Sequence, residues 1–147
     1  MIDDVKPQRK RIGSILIEDG AITQEQLDQA LDIQRTLAKP VGEVLVSQGF
    51  ITATQLASAL GRQLKIPYIP LLKYMHNPDA AKWVGKNFCL KYTLVPFDGD
   101  DKVFFVSMAN PLDKNPIDTL QALLKRKIFT FIATPDEINQ MIKLVYG

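Results

Sequence analysis

A glycine, two leucines and a glutamine occur twice in this chain at the same mutual spacing. The two sets are Gly13, Leu27, Leu31 and Gln34, and then Gly42, Leu56, Leu60 and Gln63. A glutamine amide can hydrogen-bond the edge of a nucleobase, and leucines can form an apolar bed for a flat ring. Backbone N–H groups in the first turn of a helix favour phosphate, and a glycine there lets a ligand approach closely. These residue types fit the recognition of a nucleotide.

A cation next to the first glycine adds to this pattern. Arg11 lies two residues before Gly13, and its planar guanidinium can pair with a phosphate or stack on a base. Because the set is duplicated, a ligand that is itself two-fold suits it best. A cyclic dinucleotide, with two bases and two phosphates, has that symmetry.

The two sets belong to a tandem repeat. Residues 11–34 and 40–63 are identical at ten of 24 aligned positions. Each copy predicts a short helix ended by a glycine and a longer helix opened by a Thr-x-x-Gln capping box. These boundary residues are Gly20 and Thr23 in the first copy, and Gly49 and Thr52 in the second. Since apolar residues then recur at helical spacing, the pattern predicts a four-helix subdomain over residues 1–65.

Duplication of the fold alone explains part of this pattern. In that interpretation Gly13 and Gly42 permit close helix packing, and the leucines fill the core. It gives no reason for a glutamine at the end of the helix face in both copies, at Gln34 and Gln63. It also leaves Arg11 unexplained.

The second half of the chain has a different pattern. Residues 66–79 contain three prolines, which exclude a continuous helix and predict an extended linker. In residues 80–147 the segments YTLVPF, KVFFVSM and KIFTFIA read as strands, and DGDD predicts a hairpin turn between the first two.

Helical segments accompany these strands. AAKWVGKNF reads as helical, a further helix is predicted to start near Pro116, and Thr134 is placed to cap a last helix that begins with Pro135. We therefore predict an α+β fold. The four-helix subdomain, made of two repeated helix pairs, is followed by a small antiparallel sheet of about three strands with helices on one face.

No catalytic or metal-binding pattern emerges from the sequence. It contains neither a G-x-x-x-x-G-K-[ST] phosphate loop nor a G-x-G-x-x-G motif. His76 is the sole histidine and lies in the proline-rich segment, and Cys89 reads as a small buried apolar residue. Asp98, Asp100 and Asp101 resemble a calcium loop only faintly, because the later bidentate glutamate is missing. We expect no catalytic activity and no metal in this chain.

Composition points to the cytoplasm. The net charge of +2 gives no strong overall field for nucleic acid or membrane, although KPQRKR (residues 6–11) is locally basic. The single cysteine excludes an internal disulfide and agrees with a reducing compartment. The N-terminus does not read as a secretory signal, and no segment is apolar enough to span a bilayer. We predict a cytoplasmic chain, or one held at the inner membrane through a partner.

The tandem motif resembles a known family. The pattern R-[LI]-G-x-x-[LIV]-[LIV]-x-x-G-x-[LIV]-x-x-x-x-L-x-x-x-L-x-x-Q, repeated after a five-residue spacer, is similar to the N-terminal domain of type II secretion and type IV pilus assembly ATPases. It most resembles the MshEN subgroup, which binds cyclic di-GMP. LKIPYIPL, YTLVPFDGDDKVFFVSMANPLD and ATPDEINQMIKLVYG resemble the second subdomain of the wider family.

The resemblance implies cyclic di-GMP contacts at matching positions of both motifs. These positions are Arg11, Ile12, Gly13, Leu27, Leu31 and Gln34, and then Val41, Gly42, Leu56, Leu60 and Gln63. Ile12 and Val41 stand where the family usually has leucine. Pro40 replaces the arginine of the second motif, and such a lost charged contact costs about 1.5 to 3 kcal/mol. Lys39 or Lys10 is a candidate replacement.

The resemblance also implies a regulatory domain of a secretion or pilus ATPase system, with the ATPase domain in cis or in trans. The chain ends without Walker motifs, which leaves either an excised fragment or a free-standing module. An alternative role is a docking adaptor for an inner-membrane assembly protein without nucleotide binding. The strand KIFTFIA could then accept a partner strand at a sheet edge.

Overall fold

The computed structural model describes residues 11–74 and 77–147 of the chain. It divides into two compact units, the first ending at Lys65 and the second beginning at Ile66. His76, Lys10 and the rest of the basic stretch before Arg11 lie outside the described residues.

The first unit is built from four helices in two pairs. They are α1 (Ile12–Glu18), α2 (Gln24–Leu37), α3 (Val41–Ser47) and α4 (Ala53–Leu64). This agrees with the helix pairs predicted from the repeat.

The turn within each pair is made by the predicted boundary residues. Gly20 and Gly49 have φ angles of 75° and 78°, in the left-handed region that glycine adopts without steric cost. Thr23 and Thr52 then form complete capping boxes at the starts of α2 and α4, each with the glutamine three residues later. Both copies therefore reverse the chain by the same local interactions.

The packing of the four helices is similar when the two repeats are exchanged. Helix α2 packs against α3, α1 packs against α4, and α1 contacts α3, while α3 also contacts α4. The core takes four residues from each repeat, at equivalent positions: Ile15, Leu16, Ile22 and Ala30, with Val44, Leu45, Ile51 and Ala59. The first unit is thus an approximately two-fold arrangement around one shared core.

Within its described residues, the second unit has a short 3-10 helix at Leu71–Lys73, four α-helices and three strands. The α-helices and strands are α5 (Pro78–Ala81), α6 (Lys86–Tyr92), β1 (Leu94–Gly99), β2 (Val103–Met108), α7 (Lys114–Leu124), β3 (Lys127–Ile132) and α8 (Pro135–Tyr146). The strand order is β1-β2-β3. Helices α5, α6 and α8 pack against β1, α8 also contacts β2, and α7 packs against β3. The α+β class is as predicted.

The prediction of a wholly antiparallel sheet is wrong for one strand pair. Strands β1 and β2 are antiparallel, whereas β2 and β3 are parallel. The reason is the connection: α7 lies between β2 and β3 in the chain, and a helical crossover returns the chain in the same direction. The sheet is therefore mixed.

The acidic run between β1 and β2 is a hairpin turn, as predicted. The Asp100 carboxylate accepts hydrogen bonds from the backbone N–H groups of Lys102 and Val103, at 2.8 and 2.9 Å. These bonds hold the pKa of Asp100 below its ordinary value, because they stabilise the charged form. Within residues 11–74 and 77–147, no group of three or more His, Cys, Asp or Glu side chains is arranged to hold a metal ion.

One of the remaining helical segments differs from the sequence prediction. Helix α7 begins at Lys114 with Asp113 as its N-cap, so it starts near Pro116 as predicted, and Pro116 is its third residue. The segment AAKWVGKNF forms two helices instead of one, because Gly85 is extended and becomes the N-cap of α6. Helix α8 follows the prediction, with Thr134 in a capping box.

The proline-rich stretch after the first unit packs against the second. The N–H of Ile69 donates to the carbonyl of Ile132, at the end of β3, and the N–H of Ile132 donates to the carbonyl of Pro67. The side chains of Ile69 and Leu71 are buried. The described part of this predicted linker, residues 66–74, is therefore a packed edge of the second unit.

Candidate functional site

The start of α1 carries the first predicted contact residues. Arg11 is the N-cap of the helix and is exposed, and its side chain does not cap the first turn. Ile12 is half-buried against the core of the first unit, and Gly13 is buried. The guanidinium of Arg11 is therefore open to solvent beside the start of the helix.

The start of α3 has the same backbone with different side chains. Pro40 is its N-cap, with φ −58° and ψ 145°, close to the −71° and 148° of Arg11. Val41 is half-buried and Gly42 is buried, like their counterparts in α1. The start of α3 therefore has nearly the same backbone geometry as the start of α1, but it lacks the positive charge of Arg11.

The two glycines make room for leucines of the neighbouring helix. A Cβ built on Gly13 would lie 2.9 Å from the Cδ atoms of Leu27, and one built on Gly42 would lie 2.6 Å from Cδ1 of Leu56. The side of each glycine on which a side chain would lie therefore faces a leucine of the neighbouring helix and not solvent. This close approach supports the packing explanation for both glycines.

Each longer helix has a strip of predicted contact residues on one face. The α2 strip consists of Leu27, Leu31 and Gln34, and the α4 strip of Leu56, Leu60 and Gln63; a spacing of four and then three residues keeps each strip on one side of its helix. The first leucine of each strip packs against the core.

The middle leucines of the two strips differ in exposure. Leu31 is 38% exposed, although it lies on a helix that packs against α3. Gln34, Leu60 and Gln63 are half-buried. Each strip therefore offers an apolar surface followed by an amide. The first leucine of each strip lies against the glycine in the first turn of the shorter helix, Leu27 against Gly13 and Leu56 against Gly42. The predicted first-turn residues and the predicted strip residues are therefore neighbours within each repeat.

An ion pair that sequence reasoning missed links the repeats on one side only. Arg62 in the last turn of α4 forms two hydrogen bonds with the Asp19 carboxylate at the end of α1, one of them 2.8 Å from Nη1 to Oδ1. The bonds from Arg62 hold the pKa of Asp19 below its ordinary value. The equivalent positions in the other interface are Gln48 and Ile33. The motif search could not find this pair because neither residue recurs in the other copy.

The lone cysteine is buried, as expected of a structural thiol. Cys89 is fully buried, and burial raises its pKa. Its Sγ lies 3.4 Å from the hydroxyl of Tyr146, which donates to the carbonyl of Val84 at 2.8 Å. A thiol held neutral in this way is a poor nucleophile.

The described helices include none that is long and apolar enough to cross a bilayer.

The sequence matches a known family model and a curated relative. The family model of the MshEN domain matches residues 64–147, which is more than half of the chain. The type IV pilus assembly ATPase PilB of Myxococcus xanthus (strain DK1622) is 29% identical over 137 residues, which cover 93% of this chain. The chain spans only 24% of that relative's length.

Two solved structures share the fold. A structure of MshE with cyclic di-GMP matches 94% of this chain and 100% of its own, with a TM-score of 0.81 and 27% identity. The N-terminal domain of XpsE matches 97% of this chain and 100% of its own, with a TM-score of 0.72 and 18% identity, and so supports the fold alone. In agreement with the resemblance seen in its sequence, this chain belongs to the MshEN domain family.

Proposed function

We propose that this chain is a cyclic di-GMP-binding regulatory domain of a type II secretion or type IV pilus assembly ATPase. The observation that carries the proposal is the pair of equivalent strips, each with a partly open apolar surface ending in a glutamine. The similarity to MshE, solved with cyclic di-GMP, supports it across both repeats, because that match covers 94% of the chain.

The two half-sites would make equivalent contacts with the bases through their leucines and glutamines. A guanine would lie on the middle leucine of a strip, which is exposed Leu31 in the first repeat and half-buried Leu60 in the second. The amide of Gln34 or Gln63 would hydrogen-bond the edge of that base. The first-turn residues, Ile12 with Gly13 and Val41 with Gly42, would border the ligand at the other end of each strip.

The phosphates of the ligand would bind more strongly at the first repeat than at the second. The exposed guanidinium of Arg11 can donate two hydrogen bonds to one phosphate. Pro40 has no such group, and exposed Lys39 beside it is the nearest cation in sequence within the described residues. A lysine is a point charge without the bidentate geometry, so the first half-site would carry more of the binding free energy.

The chain would act without chemistry of its own. Its role would be to bias the docking of an ATPase domain, supplied in cis or in trans, when the ligand binds. We place it in the cytoplasm, with recruitment to the inner membrane only through a partner.

Titration calorimetry with cyclic di-GMP, GMP and ATP tests the proposal. We expect saturable binding of cyclic di-GMP and much weaker heats with the two mononucleotides. Gln34→Ala should weaken the binding, whereas Gln140→Ala, an exposed glutamine of α8, should leave it unchanged. Absence of binding at high micromolar cyclic di-GMP, or equal binding by the Gln34→Ala variant, would overturn the proposal.

A docking adaptor is the second candidate, and the position of β3 supports it. This strand lies at the edge of the sheet, where backbone groups are open to a partner strand. The end of that edge is already occupied at Ile132 by residues 67–69, so the free part is short. Capture of an inner-membrane assembly protein that is unaffected by Gln34→Ala would favour the adaptor, and the two roles can coexist.

A further inference from the structure

A cavity of about 650 Å³ opens in the second unit, away from the repeats in sequence. Its walls come from α5 and the residues around it, from the β1–β2 turn, and from the residue before β3. The charged and aromatic lining includes Asp79, Lys82, Trp83, Asp100, Asp101 and Arg126. A volume of this size accommodates one or two side chains of a peptide.

An exposed indole forms one wall of the cavity. Trp83 is the only tryptophan in the chain, and 55% of its surface is exposed. The guanidinium of Arg126 lies 4.2 Å from the centre of this ring and 5.8 Å from that of Phe104. The indole therefore contacts this guanidinium and still remains exposed. A large aromatic side chain presented in this way is typical of a binding hot spot.

The charges around the cavity leave an excess of carboxylate. Asp79 is paired with Lys82 at 3.1 Å, and the charge of Arg126 acts on Asp100. Asp101, and Asp98 on the same turn, have no cationic partner within 4.0 Å in the described part of the chain.

We propose that this cavity binds a lysine or arginine side chain from a basic segment of a partner protein. A cation is attracted to the exposed surface of an indole and also to carboxylates. Here Trp83 and the aspartates line the same cavity. An acidic segment could pair with Arg126, but Asp101 in the same lining would repel it. The proposal goes beyond the cyclic di-GMP function, because its residues lie outside both motifs and its binding needs no nucleotide.

The sole tryptophan gives a direct measurement at the site. The full chain is titrated with blocked tetrapeptides of the sequences Arg-Gly-Arg-Gly, Gln-Gly-Gln-Gly and Glu-Gly-Glu-Gly, and the emission of Trp83 is followed. We expect a saturable change with the arginine peptide alone, and weaker binding at high salt because both carboxylates are exposed. A saturable change with the glutamate peptide instead would show that Arg126 selects an acidic partner, and would overturn the proposal.

Matched variants separate the site from general electrostatics. The double variant Asp98→Asn with Asp101→Asn keeps the shape of the turn, and we expect it to weaken arginine-peptide binding about threefold to tenfold. Asp136→Asn on α8 removes an exposed carboxylate elsewhere in the second unit and should leave the binding unchanged. No saturable change in the parent chain, or equal weakening by both variants, would refute the proposal.

Discussion

The two repeats have the same core and different surfaces. All four buried core positions of the first repeat have a buried apolar counterpart in the second. The differences lie at the starts of α1 and α3, where Arg11 faces Pro40 in the alignment, and at the ion pair between Asp19 and Arg62. Core residues are therefore kept in both copies, whereas these charged surface residues occur once.

This asymmetry gives each half a distinct character. The first half has an exposed arginine beside its helix start and a strip whose middle leucine, Leu31, is 38% exposed. The second half has no arginine there, and its helix α4 is tied to α1 through Arg62. We therefore expect the first half-site to bind the ligand mainly through electrostatic contacts, and the second mainly through shape complementarity.

The largest expected effect comes from removing the charge of the first half. Arg11→Ala should weaken cyclic di-GMP binding about tenfold to a hundredfold, because a hydrogen bond to a charged group contributes about 1.5 to 3 kcal/mol. Calorimetry at constant salt measures it. Arg11→Lys should recover only part of the loss. An unchanged affinity of Arg11→Ala would show that the halves do not differ by charge.

The glycines test the packing that both halves share. Gly42→Val should lower the free energy of unfolding by about 1 to 3 kcal/mol, because the added side chain displaces Leu56. Gly13→Val should cost less, since a Cβ there lies 2.9 Å rather than 2.6 Å from the leucine. Urea denaturation measures both. Gly85→Val is the control, because a Cβ at Gly85 meets nothing within 4 Å; an equal loss in all three variants would contradict the packing explanation.

Restoring the missing charge should make the halves more alike. Pro40→Arg fits the backbone, since Arg11 already adopts nearly the same φ and ψ angles in α1. We expect cyclic di-GMP affinity to rise up to about tenfold, with a loss of roughly 0.4 to 1 kcal/mol in stability from the more flexible unfolded chain. Thr36→Arg, on the exposed surface of α2, adds the same charge elsewhere and should not raise the affinity to the same extent.

The smallest expected effect concerns the ion pair that occurs on one side only. The pKa of Asp19 is lowered in the folded chain, so its stabilising contribution is present above the unfolded value of about 3.9 and is lost as pH falls through the folded pKa. Asp19→Asn should therefore lower the melting temperature slightly at pH 7 and have no effect at strongly acidic pH. Gln48→Ala, the equivalent position, should show no such pH dependence. A pH-independent difference for Asp19→Asn would contradict the role of the ion pair.

Local signals in the sequence predicted most of the fold. Gly20, Gly49, Thr23 and Thr52 each act through neighbours within a few residues, so their turns and caps could be read directly. The direction of β3 could not be read this way, because it depends on how α7 returns the chain to the sheet. The start of α7 near Pro116 was predicted from its proline, and the structure places it at Lys114 because Asp113 caps the helix.

The candidate site was predictable where it repeats. Leu31 and Gln34 were found because Leu60 and Gln63 recur at the same spacing. The sequence could not show that Leu27 fills the space next to Gly13, because this contact depends on the packing of neighbouring helices. The pair of Asp19 and Arg62 spans 43 residues without a motif, so nothing in the sequence pattern pointed to it.

The central claim is that the two repeats form two half-sites for one two-fold ligand. Calorimetric titration of cyclic di-GMP into the parent chain, Gln34→Ala and Gln63→Ala measures this most directly. We expect a single binding event in the parent chain, and we expect Gln34→Ala and Gln63→Ala each to weaken that binding. Two independent binding events, each abolished by one substitution and unaffected by the other, would contradict it.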